Sequence, residues 1–124
     1  MTTYRLLPLL LIGAAMSSGP VHAQNAEAGE RQFKTQCAAC HSTDAGKNMV
    51  GPSLFGIVGR HSGQVPNFRY SAANQKADLT FDDTTLDRYL TNPKEVVPGT
   101  TMTFAGMRDA NNRANLIAYL KTKK

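Results

Sequence analysis

Cys37-Ala38-Ala39-Cys40-His41 carries the densest chemistry in the chain. Two cysteines three apart on a helical turn face the same side, so both thiols reach the vinyl groups on one edge of a porphyrin and close thioether bonds. His41, the next residue, is then held where an imidazole nitrogen can take an axial position on the iron. Cys-x-x-Cys-His therefore reads as c-type haem attachment. Cys-x-x-Cys alone also serves thiol redox sites, half zinc sites and small disulfide loops. The chain has only two cysteines, so zinc would need Cys37, Cys40 and two of the three histidines. A thiol oxidoreductase would need a strand before the pair, and the pattern there is helical.

The elements that position this pentapeptide follow from periodicity. Ala26, Gly29, Phe33 and Cys37 fall on one helical face while Glu27, Glu30, Arg31, Gln32, Lys34 and Gln36 line the other, which predicts a helix from Ala26 to Cys40. Asn25 is its N-cap, and the glutamates sit where the helix dipole favours negative charge. Gly29 on the apolar face costs about 1 kcal/mol of helix propensity, which implies close approach of a second helix. The last helix is that partner: Asp109 caps it, it runs from Ala110 to about Lys121, and Leu116, Ile117, Tyr119 and Leu120 form its buried side. A third helix begins at Thr80 or Asp82, buries Leu86, Tyr89 and Leu90, and ends at Pro93 or in a short turn over Lys94 to Val97. From Ser42 to Asn74, glycines 46, 51, 56, 59 and 63 with Pro52 and Pro66 predict loop. A loop this long in a compact domain wraps something.

The first 23 residues read as an export segment. Arg5 gives one positive charge, Leu6 to Met16 form an apolar run, and Val21-His22-Ala23 precedes a cut. The run is short for a bilayer span, so the expectation is a cleaved secretory signal over 1–23, no permanent membrane anchor and a single domain over 24–124. In an oxidising compartment two cysteines would ordinarily form one disulfide; the adjacent histidine overrides that. The 101 remaining residues make a small core, which a haem would complete. Net charge falls from +5 to +4 without Arg5. The basic residues are scattered with no stripe of interleaved aromatics, which excludes a nucleic-acid binder.

Gly29 and Phe33 on the first helix with Leu116 and Tyr119 on the last resemble the helix crossing of class I cytochrome c, the family of mitochondrial cytochrome c and its short bacterial relatives. The resemblance covers Ala26 to Lys121. It implies an all-α cytochrome c fold, three main helices with long loops wrapped around one covalently attached haem c. Pro98-Gly99-Thr100-Thr101-Met102-Thr103-Phe104-Ala105-Gly106 resembles the loop carrying the distal methionine, which makes His41 and Met102 the metal ligands. Met49 and Met107 lack the Pro-Gly-Thr approach, and His61 sits among loop polars. Gly51-Pro52-Ser53-Leu54-Phe55-Gly56 resembles the segment behind the axial histidine, with the Pro52 carbonyl accepting from the His41 imidazole. By the same resemblance Arg60, Gln64, Tyr70 and Asn74 bond the propionates or an internal water, Thr100 contacts a propionate, Tyr89 lies beside the Met102 sulfur, and Phe104 flanks the exposed haem edge. Phe81 stands where relatives usually have tryptophan.

The function implied is that of a periplasmic one-electron carrier, a monomer serving redox-partner proteins such as an oxidase, a reductase complex or a dehydrogenase. In this class haem is joined to the cysteines outside the bacterial cytoplasm, which agrees with the export segment. No nucleophile with a base accompanies the cysteines and histidine. The competing class is a peroxidase-like or gas-binding haem protein, which needs a labile Met102. Relatives ring the exposed edge with lysines. Gln36, Thr101 and Glu95 occupy three such positions here, leaving Arg31, Lys94, Arg108 and Lys47, so electrostatic steering is weaker.

Overall fold

The computed structural model describes residues 24–124; the signal expected over 1–23 lies outside them. Five helices follow in order: α1 (Ala26–Gln36), α2 (Ala72–Lys76), α3 (Asp83–Thr91), α4 (Pro93–Val96) and α5 (Ala110–Lys121). Extended pairing among the described residues is limited to an isolated antiparallel bridge between His61 and Thr80.

Each long helix starts where a short polar side chain satisfies an orphan amide. Asn25 accepts from the Ala28 N–H, Asp82 from Thr85 and Asp109 from Asn112. α1 stops earlier than its pattern suggests. Cys37 is the C-cap, its N–H bonded to the Phe33 carbonyl, and the N–H groups of Cys40 and His41 both bond to the Cys37 carbonyl. The apolar period persists through Cys37, but the backbone tightens into a turn there, so the cysteine pair lies beyond the helix.

α1 and α5 cross with almost no space between their backbones. A Cβ on Gly29 would overlap the Asn115 carbonyl, so the propensity cost of that glycine is offset by packing. Beside it the Phe33 and Tyr119 rings lie 5.6 Å apart at 46°, and Leu116 is 1% exposed. α3 packs on α5 with Leu86 and Leu90 buried, and it is tied there by Asp83–Lys121 and Asp87–Arg113 ion pairs. Ile57, Phe81 and Met107 join the same core from the loops.

The long loop is less irregular than its composition implies. Ser71 caps α2, a five-residue helix absent from the sequence expectation. Backbone bonds from Gly59 to Phe81, Phe81 to Arg60, and Ser62 to Leu79 seam the loop against the approach to α3. α4 fills the place of the expected turn, with Pro93 at its first position, where a missing N–H costs nothing. No described helix is long and apolar enough to cross a membrane.

Candidate functional site

The turn after α1, the loop over 50–70, α2, α3 and the loop before α5 enclose a cavity of about 490 Å³, within the range of cofactor sites. Cys37, Cys40, His41, Pro52, Arg60, Tyr70, Asn74, Tyr89, Thr100, Met102 and Phe104 all lie on its wall. Of the competing ligands, Met107 is buried in the core and Met49 is largely exposed, and neither lines the cavity. His61 reaches the wall, but its Nε2 is bonded to Asp78 at 2.8 Å and its Nδ1 lies 3.1 Å from the Ser62 carbonyl. Gln64, grouped with Arg60 by resemblance, is exposed and off the wall.

The cysteine side is built by a short hydrogen-bonded circuit. His41 Nδ1 donates to the Pro52 carbonyl at 2.7 Å; the carbonyl can only accept, so the tautomer is fixed and Nε2 keeps its lone pair. Burial, with a smaller push from Arg60, holds the imidazole below its usual pKa against the pull of the Pro52 bond, which favours the neutral ring a metal needs. Gly51 is essential to this geometry, because a Cβ there would overlap the His41 ring. Nothing in the sequence pattern marks Gly51 apart from the other loop glycines except its place before Pro52. Buried Ser53 donates to the Asp44 carbonyl at 2.6 Å, and Arg60 donates through Nη1 to Ser53 at 3.0 Å and through Nη2 to Phe55. Arg60 thus braces the segment behind His41 while lining the cavity.

Cys37 and Cys40 are not joined to one another. Burial, then the neighbouring Cys40, pushes the Cys37 thiol up to about 11. Reactive Cys-x-x-Cys pairs have depressed thiol pKa values, so the environment opposes thiol–disulfide exchange. Among the described residues no group of three or more His, Cys, Asp or Glu side chains is arranged to hold a metal ion, which leaves zinc short of ligands.

The opposite chemistry, around Met102, rests on a polar relay. The Met102 N–H donates to Thr100 Oγ1 at 3.3 Å, Thr100 donates to Asn74 Oδ1 at 3.0 Å, and Ser71 donates to the same oxygen at 2.8 Å. Tyr89 stands beside this relay; burial pushes its phenol up while Asn74 and Thr100 pull it down. The Tyr70 hydroxyl accepts from Val65 at 3.0 Å. Phe81 is 8% exposed and meets Tyr89 edge-on at 5.3 Å, so it supplies apolar bulk but no donor. Apolar walls, a cysteine pair in a turn, an imidazole with a free lone pair and a cluster of polar side chains at Arg60, Tyr70, Asn74 and Thr100 together fit a haem c.

Such a helical shell around such a cavity defines an electron-transfer haem domain with covalent attachment. Comparison with known proteins agrees: a family model for cytochrome c matches residues 26–124. Cytochrome c2 iso-1 of Magnetospirillum molischianum is 53% identical over 91 residues, covering 72% of this chain and 91% of that one. Cytochrome c of Euglena viridis is 45% identical over 100 residues, covering 81% and 98%. Among solved structures, cytochrome cH from Methylobacterium extorquens superposes with a TM-score of 0.75 at 44% identity, covering 80% of this chain and 99% of that one. The chain belongs to the cytochrome c family. It is a haem-based electron carrier rather than an enzyme, and it carries one covalent haem c.

Proposed function

We propose that the protein is a soluble, periplasmic, monomeric one-electron carrier in which Cys37 and Cys40 hold the haem and His41 and Met102 are its axial ligands. Residues 1–23 are a secretory signal removed on export, leaving one monohaem domain over 24–124. The observation that carries this reading is the convergence of His41 and Met102, from loops far apart in sequence, in the lining of one cavity with both cysteines.

When bound, the haem supplies an iron that takes up and gives back one electron, at a potential that a His/Met pair raises. The side chains do the rest. Pro52 fixes the His41 tautomer, and Asn74 and Thr100 hold the backbone at Met102. Arg60, Tyr70 and Asn74 offer donors for propionates, which need partners when buried, and Thr100 stands beside them with its proton given to Asn74. Tyr89 fills space near the methionine, and half-buried Phe104 flanks the mouth.

Partners are redox proteins such as an oxidase, a reductase complex or a dehydrogenase. The rim they meet is weakly charged: Gln36 and Thr101 are exposed on the wall and Arg31 is paired with Glu27 at 3.3 Å. Lys47 approaches Asp44 at 3.9 Å. Electron exchange with an acidic partner should therefore slow only mildly as salt rises.

Adding carbon monoxide to the reduced native holoprotein tests the reading. Negligible binding under conditions where the protein cycles reversibly through one electron is the expected result. Rapid binding would favour a gas-binding or peroxidase-like role instead.

A further inference from the structure

Arg113 is a charged side chain on the apolar face of α5, only 9% exposed, and electron transfer as described above gives it no task. Its guanidinium is engaged at three points. Nε donates to Asp87 Oδ1 of α3 at 2.7 Å, and Nη1 donates to the carbonyls of Met107 and Arg108 at 2.9 and 2.8 Å. Those carbonyls belong to the stretch where the Met102 loop rejoins the body of the protein. The Met107 N–H bonds to the Leu90 carbonyl at 2.7 Å. Gly106, at φ +109°, lies so close to the Thr91 carbonyl that no Cβ would fit. One side chain thus pins the loop's returning end to α3 and α5 together.

We propose that Arg113 is the positioning residue of the Met102 loop, holding the returning end shut so that the thioether stays in the cavity. The proposal rests on the reading of Met102 as a ligand. Between Thr100 and Met107 the loop has one hydrogen bond of its own among the described residues, the 3.3 Å contact from Met102 to Thr100. A segment with so few internal bonds opens at a free energy set by its anchors. Removing the guanidinium leaves two carbonyls and a carboxylate without their charged donor.

The Lys121–Asp83 pair is a built-in control. It joins the same two helices, with Asp83 one turn before Asp87 on α3. Its lysine side chain is 41% exposed against 11% for Arg113, and it touches no carbonyl of the Met102 loop.

The test uses ferric holoprotein titrated with imidazole, following the charge-transfer band of thioether ligation, with helix content and denaturant midpoint measured on the same samples. An incoming ligand that needs the open loop binds in proportion to its population. Arg113→Met should therefore raise imidazole affinity about tenfold or more, the scale of one lost charge-assisted bond. Arg113→Lys keeps the charge but cannot reproduce a fork serving three acceptors, and should fall between. Lys121→Met should stay within about twofold of the parent, as exposed pairs contribute little. If Arg113→Met fails to fold, Arg113→Lys and Asp87→Asn carry the comparison with Lys121→Met. Affinities that do not differ between the Arg113 and Lys121 variants, or that follow denaturant midpoint alone, would overturn the clamp while leaving Met102 as ligand. A parent protein without the thioether band would overturn both.

Discussion

The two sides of the cavity are held in unlike ways. Behind His41 the chain is bonded at nearly every step: Gly51 to Cys40 and Leu54 to Ser42 at 2.8 Å, Ser53 to Asp44 at 2.6 Å, and His41 to Pro52 at 2.7 Å. Around Met102 the backbone is held at its ends and, among the described residues, only once between them, at 3.3 Å. The histidine side is organised by local bonds and would keep its shape if the rest loosened. The methionine side borrows its order from α2, α3 and α5 through Asn74, Leu90 and Arg113. Of the two proposed axial ligands, Met102 is therefore the one that structure elsewhere in the molecule can release.

The sharpest way to break this contrast is Gly51→Val. A side chain there overlaps the imidazole, so the variant should yield little protein with attached haem, measured as haemochrome per polypeptide. Normal yield with native ligation would mean the histidine side is far more pliable than its bonds imply. Phe33→Ala comes next. It should cost about 3–5 kcal/mol of stability in denaturant melts, because the ring sits in the α1–α5 crossing, and because α1 leads straight into the Cys37–His41 turn it should loosen the histidine side as well as the methionine side. Thr100→Val removes the relay between Met102 and Asn74. A loss of about 0.5–1.5 kcal/mol is expected, with the thioether band fading at lower denaturant than the helix signal.

The mildest lever is acid. Asp82 caps α3 by accepting from Thr85, and that bond holds its carboxyl below the usual range. A depressed folded pKa stabilises the native state above the unfolded value, and that contribution disappears as pH falls through the folded value. Asp82→Asn keeps an acceptor at the cap but cannot titrate. Its stability should fall less steeply than the parent's below about pH 4, measured by denaturation at stepped pH.

Much of this molecule was legible in its sequence because the informative features are local. Asn25, Asp109 and one of the two candidates Thr80 and Asp82 each lie beside the helix they start, Gly29 on an apolar face implies a close helix neighbour, and its pairing with Phe33 in the crossing comes from the family resemblance. α2 escaped because five residues hold too little of a helical period to stand out from a loop rich in glycine. The periodicity overruns the end of α1 because Cys37 continues the apolar period after the backbone has turned. The anchors of the Met102 loop were illegible for a different reason. Gly106 meets Thr91, and Arg113 meets Asp87, only once α3 and α5 are docked. One signal did exist: Arg113 lies three residues before Leu116, a basic residue on an otherwise apolar face. The resemblance implies a propionate partner in Arg60, and the structure shows its bonds to Ser53 and Phe55, a bracing task the sequence does not announce.

The most direct test of the whole account is the near-infrared spectrum of the ferric protein before and after Met102→Ala. The parent should show the absorption of an iron–thioether bond, and the variant should lose it while retaining haem bound to Cys37 and Cys40 through denaturation. A variant that keeps the band unchanged would show that another residue supplies the sixth ligand.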